Sequence, residues 1–247
     1  MKLEFLGTAG YHPNDTRQTS CTYIPEAAKG CAFMLDAGTG VFRLIGRKLP
    51  SQLHIFLSHA HLDHVSGLTY LYNVLLHQKT QVTVHGAPST LETISNALFD
   101  SPLFPLPFEH PQQPIEPGQK LTVCGVQVSV FPLTHPGGSL AYRFDWPKRS
   151  LAYVTDTAGD MRYIDFIRNV DLLIHERNFS DDLHEIAVAS GHTTSEQVVR
   201  VALQSKAKRL ALTHFNPLTE TEPLEEDSLL TDCPAAISAR DGLVVEF

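Results

Sequence analysis

His54-Ile-Phe-Leu-Ser-His59-Ala-His61-Leu-Asp63-His64-Val-Ser-Gly67 sets four metal-capable side chains within six residues, directly behind an apolar run. Leu53, Ile55 and Leu57 alternate with His54, Phe56 and Ser58, the period-two pattern of a strand. From Leu62 and Val65 through Leu68, Leu71, Val74 and Leu75 the apolar positions fit one helical face. The stretch therefore reads as strand, loop, helix, with its ligands at the strand end. His59 and His61, two residues apart, project to one side of an extended loop and can share an ion, while Asp63 and His64 can turn towards a second. A lone histidine beside an apolar run is most often a packed or surface residue. Four such residues in the pattern His-x-His-x-Asp-His reverse those odds.

That pattern resembles the signature of the metallo-β-lactamase fold superfamily. The resemblance implies an α/β fold, an αββα sandwich of two mixed β-sheets flanked by helices, with two metals at one edge of the sheets. It assigns His59, His61 and His135 to one metal, Asp63, His64 and His214 to the other, and Asp156 to both. His135 follows a strand and precedes two glycines, Asp156 sits in Thr155-Asp-Thr157, and His214 ends the strand Arg209 to Thr213. A carboxylate between two cations partly cancels their repulsion, which is the physical reason for an aspartate at position 156. Asp36, in Asp36-Ala-Gly-Thr-Gly, matches the aspartate that supports the metal loop in this family, with a turn or cap role as the alternative. The resemblance further implies two divalent ions about 3.5–4 Å apart with a water or hydroxide between them as nucleophile. Zinc is the first expectation, and manganese or iron also suit such ligands.

Length and composition agree with one α/β domain over residues 1–247, which the resemblance implies is a hydrolase. A hydrophobic fraction of 43% with 19% charged residues is ordinary for a globular chain. The formal charge of −8 argues against a surface built to grip nucleic-acid phosphates. Arg143, Lys148 and Arg149, or Lys206, Lys208 and Arg209, could each form a local basic patch, though a solvated face is the simpler reading. Cys21, Cys31, Cys124 and Cys233 form no Cys-x-x-Cys pair and read as reduced thiols in a cytoplasmic protein. No apolar run is long enough to span a membrane, and none opens the chain as a signal segment.

Further elements follow from the pattern. Strands are expected at Lys2 to Gly7, Ser20 to Ile24, Cys31 to Leu35, Gln81 to His85, Leu121 to Cys124, Val126 to Phe131, Ser139 to Phe144, Ser150 to Thr155 and Val170 to Ile174, with a closing pair in Ala235 to Phe247 around Asp241-Gly242. Helices are expected at Thr39 to Leu49, Ala87 to Phe99, Asp160 to Arg168, Asp181 to Ser190 and Ser195 to Leu203, the last capped by Thr193 or Thr194. Gly7-Thr-Ala-Gly10 is a sharp connection where backbone can approach a ligand, or a plain turn. The proline-rich stretch from Asp100 to Pro117 reads as an ordered loop at the rim of the site. Its Phe104, Leu106 and Phe108 form either an apolar lip or a patch packed on the domain. Glu220 to Asp227 is acidic and reads as a mobile segment.

Residues outside the ligand set narrow the chemistry. Leu172-Leu-Ile-His-Glu176, Gly191-His-Thr-Thr194, Leu212-Thr-His-Phe-Asn-Pro217 and the N-terminal Phe5-Leu-Gly-Thr8 resemble the ribonuclease Z branch and its phosphodiesterase relatives. In that branch a histidine in the place of His192 contacts the phosphate and protonates the leaving oxygen, and a glutamate in the place of Glu176 orients it. An alkoxide leaving group needs a proton, and an imidazole held by a carboxylate can give one near neutral pH. Asp63, His192 and Glu176 are thus the expected catalytic set. Only twenty residues separate His135 from Asp156, so the long basic arm that holds transfer RNA in ribonuclease Z has no room there. The favoured substrate is a small phosphodiester, a cyclic nucleotide among the candidates, with nucleic acid less favoured. The alternatives are a transfer-RNA 3′-processing endonuclease, an ester, thioester or lactone hydrolase, and a metal-binding protein without turnover. A homodimer is expected by analogy alone.

Overall fold

The structure, a computed structural model, describes residues 1–218 and 236–247. The acidic segment Glu220 to Asp227 and Cys233 lie outside the described residues. Six strands and short helical turns fill the first half: β1 (Lys2–Gly7), β2 (Cys21–Ala28), β3 (Cys31–Leu35), β4 (Gln52–Phe56), β5 (Gln81–Gly86) and β6 (Gln112–Pro114). The second half supplies β7 (Lys120–Val123), β8 (Val126–Leu133), β9 (Ser139–Trp146), β10 (Arg149–Val154), β11 (Leu172–Glu176), β12 (Leu210–Thr213), β13 (Ala236–Ser238) and β14 (Val244–Glu246). They form two seven-stranded sheets, β14-β1-β2-β3-β4-β5-β6 and β13-β12-β11-β10-β9-β8-β7. Both sheets are mixed, as the sequence implied: β3 to β6 and β10 to β13 run parallel within their sheets, and the remaining pairs are antiparallel.

Alternation along the strands divides the core into layers. Phe33, Leu35 and Phe56 from one sheet meet Tyr142, Phe144, Leu151 and Tyr153 from the other in a buried layer between the sheets. The opposite faces of β3 to β5, carrying Met34, Leu53, Ile55 and Val84, are covered by the segments 39–44, 62–75 and 88–99. The longest helix among the described residues, Ser195–Ser205, covers the other outer face with Val198, Val201 and Ala202. Its start is closed by a reciprocal pair of hydrogen bonds between Thr194 and Gln197, which satisfies amides the helix leaves free. No helix among the described residues is long and apolar enough to cross a membrane.

Several helices predicted from periodicity are shorter than expected. The helix after the metal-ligand pattern is broken into Leu62–Val65, a 3-10 turn at Ser66–Tyr70 and Leu71–Val74. The cause lies in the loop after β3: the Ala37 amide donates to the His64 carbonyl at 2.8 Å, and the Gly67 amide donates to the Ala37 carbonyl at 2.8 Å. These bonds to another segment compete with the helical ladder. Thr39 to Leu49 forms only a 3-10 helix at Thr39–Leu44, ended by Gly46 at φ 78°. Ala87 to Phe99 is α-helical at Pro88–Thr93 and then widens into a π turn. Asp160 to Arg168 makes irregular turns, with Met161 in the left-handed region.

The expected closing strand pair is not a hairpin. β13 adds to β12 and β14 adds to β1, so the two strands edge different sheets. Asp241 fixes the connection between them. It accepts from Thr8 Oγ1 at 2.8 Å, the Gln18 amide at 2.7 Å and Arg43 at 3.1 Å. The proline-rich loop supplies a patch, not a lip. Phe104 packs edge-on and Phe108 tilted against Phe99, with centroids 5.2 and 4.7 Å away, Leu106 is exposed, and none of the three lines the cavity described below.

Gly67 marks how closely the metal-ligand loop and the loop after β3 are pressed together. A Cβ there would lie 2.0 Å from the Gly38 carbonyl oxygen and 2.8 Å from that of Ala37. We predict that Gly67→Ala costs about 3 kcal/mol by overpacking, read as a lower urea midpoint with an unchanged m value. An unchanged midpoint would show that these loops can separate freely.

Candidate metal and catalytic site

Parallel strands deliver their C-terminal ends to one edge of the sandwich, where ligand sites of open sheets commonly form. Asp36 follows β3, His59 to His64 follow β4, Asp156 follows β10, Glu176 ends β11 and His214 follows β12. His135 arrives at the same edge because β8 runs with β10, both antiparallel to β9. Asp36, Asp156 and His214 have φ of 55°, 49° and 59°. Aspartate and histidine are among the residues that tolerate this left-handed conformation, and backbone strain of this kind gathers at functional sites.

All seven residues of the expected ligand set converge. Nε2 of His64 lies 3.1 Å from Nε2 of His214, 3.2 Å from Asp63 Oδ2 and 3.2 Å from Asp156 Oδ2. Asp156 reaches the other group with its second oxygen, 3.9 Å from His59 Nε2 and 3.7 Å from His135 Nε2. His135 Nε2 is 3.3 Å from His61 Nδ1. One carboxylate thus faces two sets of imidazoles.

Hydrogen bonds on the far side of the rings fix where the lone pairs point. A carboxylate only accepts, so His64 Nδ1 donates to Asp36 Oδ2 at 2.7 Å and turns Nε2 inward. Ser58 Oγ gives its one proton to Asp36, so it accepts from His59 Nδ1 at 3.0 Å. That tautomer leaves the lone pair on His59 Nε2, which is buried without a hydrogen-bond partner. An unpartnered buried nitrogen is costly unless something outside the protein's own groups satisfies it. His135 Nδ1 likewise donates to the Gly191 carbonyl at 3.0 Å, presenting Nε2 to the cluster. Lone pairs aimed at one another with carboxylates between them fit divalent cations, each held by nitrogen and oxygen donors.

Protonation equilibria agree with that fit. Burial, followed by the His64 charge, pushes His59 well below the usual histidine range, so it stays neutral as a ligand must. For His64, burial is outweighed by Asp156, Asp63 and Asp36, which hold its proton firmly until a cation replaces it. Asp63 and Asp156 both resist protonation: burial opposes ionisation, and the surrounding imidazoles outweigh it.

Beside this cluster, His192 Nδ1 donates to both carboxylate oxygens of Glu176 at 3.1 Å. Glu176 is fully buried and also accepts from the Thr157 amide at 2.7 Å. Burial lowers the affinity of His192 for a proton, but the Glu176 charge and hydrogen bond raise it further, to about 9. Its ring lines a cavity of about 300 Å³ together with His61, Asp63, His135, Asp156 and His214. The other walls include Tyr11, Pro136, Phe179 and Leu218.

Three further residues escaped sequence reasoning. The Asn178 amide lies 3.0 Å from His214 Nδ1 and donates to the His214 carbonyl at 3.1 Å. Tyr11 gives its backbone amide to Asp63 Oδ2 at 2.8 Å. Tyr153, on the other sheet, donates to Asp36 Oδ2 at 2.7 Å. Asn178 follows Glu176 by two residues, which was the one available signal; the other two are contacts between distant segments. Gly10 answers the question left by the first turn, since a Cβ there would lie 2.4 Å from the His214 ring.

Residues 32–215 match the family described as the beta-lactamase superfamily domain. The chain belongs to the β-lactamase superfamily. It has the metallo-β-lactamase fold and the coarse character of a metal-dependent hydrolase of that superfamily. Ribonuclease BN of Cronobacter sakazakii is 25% identical over 308 aligned positions, covering 99% of each chain. Human tRNase Z, short form, superposes with a TM-score of 0.77 at 22% identity, over 100% of this chain and 99% of that one. A diphosphatase of the PhnP family superposes with a TM-score of 0.74 at 19% identity, over 100% of this chain and 96% of that one.

Asp36 is the clearest test of the cluster's support, because it holds Ser58, His64 and Tyr153 at once. We predict that Asp36→Asn weakens metal binding by about 10- to 100-fold, the usual cost of losing an outer partner, measured by competition with a chromophoric chelator. Unchanged affinity would mean that the imidazoles orient themselves without it.

Proposed function

We propose that this chain is a phosphodiesterase acting on a small phosphodiester, cyclic nucleotides among the candidates, with two divalent cations, zinc foremost. His59, His61 and His135 would hold one cation, Asp63, His64 and His214 the other, and Asp156 both. Such cations supply Lewis acidity, drawing charge from a phosphoryl oxygen and making water acidic enough to attack near neutral pH. The remaining steps belong to the chain itself. His192 holds a proton that Glu176 keeps in place, and it gives that proton to the leaving oxygen as the P–O bond breaks. Glu176 fixes the ring through Nδ1 and favours its charged form. The wall formed by Tyr11, Phe179 and Leu218 offers apolar surface to the organic part of the substrate and excludes water there.

The observation that carries this reading is the buried Glu176 bonded through both oxygens to His192, beside the ligand cluster. A hydrolase of carboxyl esters, thioesters or lactones on this fold has less need of a dedicated proton donor, because its leaving group or ring oxygen departs after addition to a carbonyl.

A second reading, an RNA 3′-processing nuclease, is favoured by the likeness to ribonucleases Z and BN over nearly the whole chain. Against it, no lysine or arginine is among the described residues lining the cavity. Three members of the suspected basic patches are also engaged. Arg143 pairs with Asp145, Lys208 with Asp171, and Arg149 donates to the Phe247 carbonyl. The alignment to ribonuclease BN spans 308 positions against 247 residues here, so that relative carries segments this chain lacks.

Hydrolysis of bis(p-nitrophenyl) phosphate by zinc- or manganese-loaded protein is the first assay, followed by cyclic nucleotides and a precursor transfer RNA. We predict turnover of the small diesters and little cleavage of the RNA; the reverse would select the nuclease. His192→Ala should lower kcat by about 10²- to 10⁴-fold on alkyl phosphodiesters, and by much less when the leaving group is nitrophenolate, which needs no proton. Equal losses on both would remove His192 from the role of acid.

The Glu176 contact also sets a pH dependence. A raised His192 pKa keeps the acid form through neutral pH and loses it as pH rises towards about 9, a limit that neighbouring cations shift downwards. Glu176→Gln should therefore move the alkaline limb of kcat to lower pH. A limb that stays in place would separate it from His192.

A further inference from the structure

At the edge of the sandwich opposite the catalytic cluster, a second group of donors closes over the layer between the sheets. Cys31 begins β3, His54 is the third residue of β4, and Cys124 sits in the turn between β7 and β8 with φ 49°. The two sulfurs and one imidazole nitrogen all lie within 4.8 Å of one another. Cys31 and His54 come from one sheet and Cys124 from the other, so the group bridges both.

The geometry points to a third metal site, a structural site for a thiophilic cation of the zinc type, held by Cys31 Sγ, Cys124 Sγ and His54 Nε2. Tetrahedral bonds of about 2.3 Å to sulfur and about 2.0–2.1 Å to nitrogen set such donors about 3.5 Å apart. His54 Nε2 lies 3.6 Å from Cys124 Sγ. The far side of the ring is arranged as in other histidine ligands: His54 Nδ1 is 2.9 Å from Nε2 of His85. His85 is fully buried and stacked on Phe56 with ring centroids 4.6 Å apart, which fixes its direction. In the tautomer in which Nδ1 of His54 donates to His85, the Nε2 lone pair of His54 faces the sulfurs. Gln52 Oε1, 3.1 Å from Cys124 Sγ, or a solvent molecule completes the fourth position.

Donor chemistry separates this site from the catalytic one. Two thiolates and an imidazole select soft or borderline cations, whereas the catalytic cluster offers imidazole and carboxylate. No candidate catalytic residue takes part, and the inference stands independently of the proposed phosphodiesterase activity. A cation here would pin the β7–β8 turn to the starts of β3 and β4, closing the open end of the interlayer core.

Cobalt(II) added to the reduced, metal-free full chain tests it, because only a thiolate ligand gives an intense sulfur-to-cobalt charge-transfer band in the near ultraviolet. Wild type should show the band. Cys31→Ser and Cys124→Ser should lose it, while Cys21→Ser and Cys233→Ser keep it. Cys124→Ser should also bind one equivalent of zinc fewer than wild type and keep its hydrolytic rate. Cys124 is only partly buried, so this variant remains informative even where Cys31→Ser fails to fold. Absence of the band in wild type, or a band that survives Cys124→Ser, overturns the proposal. A wild type that shows the band but hydrolyses no phosphodiester would support this site and count against the phosphodiesterase reading alone.

Discussion

A single buried carboxylate ties the two halves of this molecule to its chemistry. Asp36, fully buried at the end of β3, accepts from the Ser58 amide and hydroxyl, from His64 Nδ1 and from the Tyr153 hydroxyl. Ser58 and His64 belong to the loop that carries the candidate ligands, and Tyr153 belongs to the opposite sheet. An ionised carboxylate inside a protein is tolerated only when its lone pairs are met by donors. Here meeting that need fixes a loop conformation, a histidine tautomer and the spacing of two sheets together.

The same logic runs outward through the cluster. Each histidine whose outer nitrogen donates to Asp36, Ser58 or Gly191 turns its inner nitrogen towards the cluster. Asp63 and Asp156 add negative charge among these rings. Cations are what such an arrangement stabilises, and the orphaned nitrogen of His59 shows that the protein's own groups do not complete it. Catalytic capacity thus arises from deliberate local dissatisfaction. The surrounding hydrogen bonds bear its energetic cost.

Strand polarity explains why the site and the thiol group lie at opposite ends. β3 and β4 run parallel, so their beginnings gather Cys31 and His54 while their ends gather Asp36 and the ligand loop. β8 runs so that its beginning carries the turn holding Cys124 and its end carries His135. One interlayer core, rich in Phe33, Phe56 and Phe144, separates the two polar ends. Rigid aromatic contacts between the sheets, at centroid distances of 5.0–5.6 Å, hold each end at a fixed spacing.

Local sequence determined the strands and the ligand types. Period-two alternation in segments such as Leu53 to Ser58 is imposed by a two-sided sheet, and His-x-His-x-Asp-His carries chemistry that few other patterns share. The pair of His192 and Glu176 was legible only through resemblance to known motifs, because nothing in their spacing of sixteen residues brings them together. Tertiary structure decided the rest. Hydrogen bonds from Ala37 and Gly67 broke the helix after the ligand loop, Asp241 sent β13 and β14 to different sheets, and Phe99 drew Phe104 and Phe108 away from the cavity. Asn178, Tyr11 and Tyr153 took their places through contacts between segments far apart in the chain. Local propensity acts within a few residues, whereas these choices depend on which distant donor, acceptor or apolar surface the fold brings within reach.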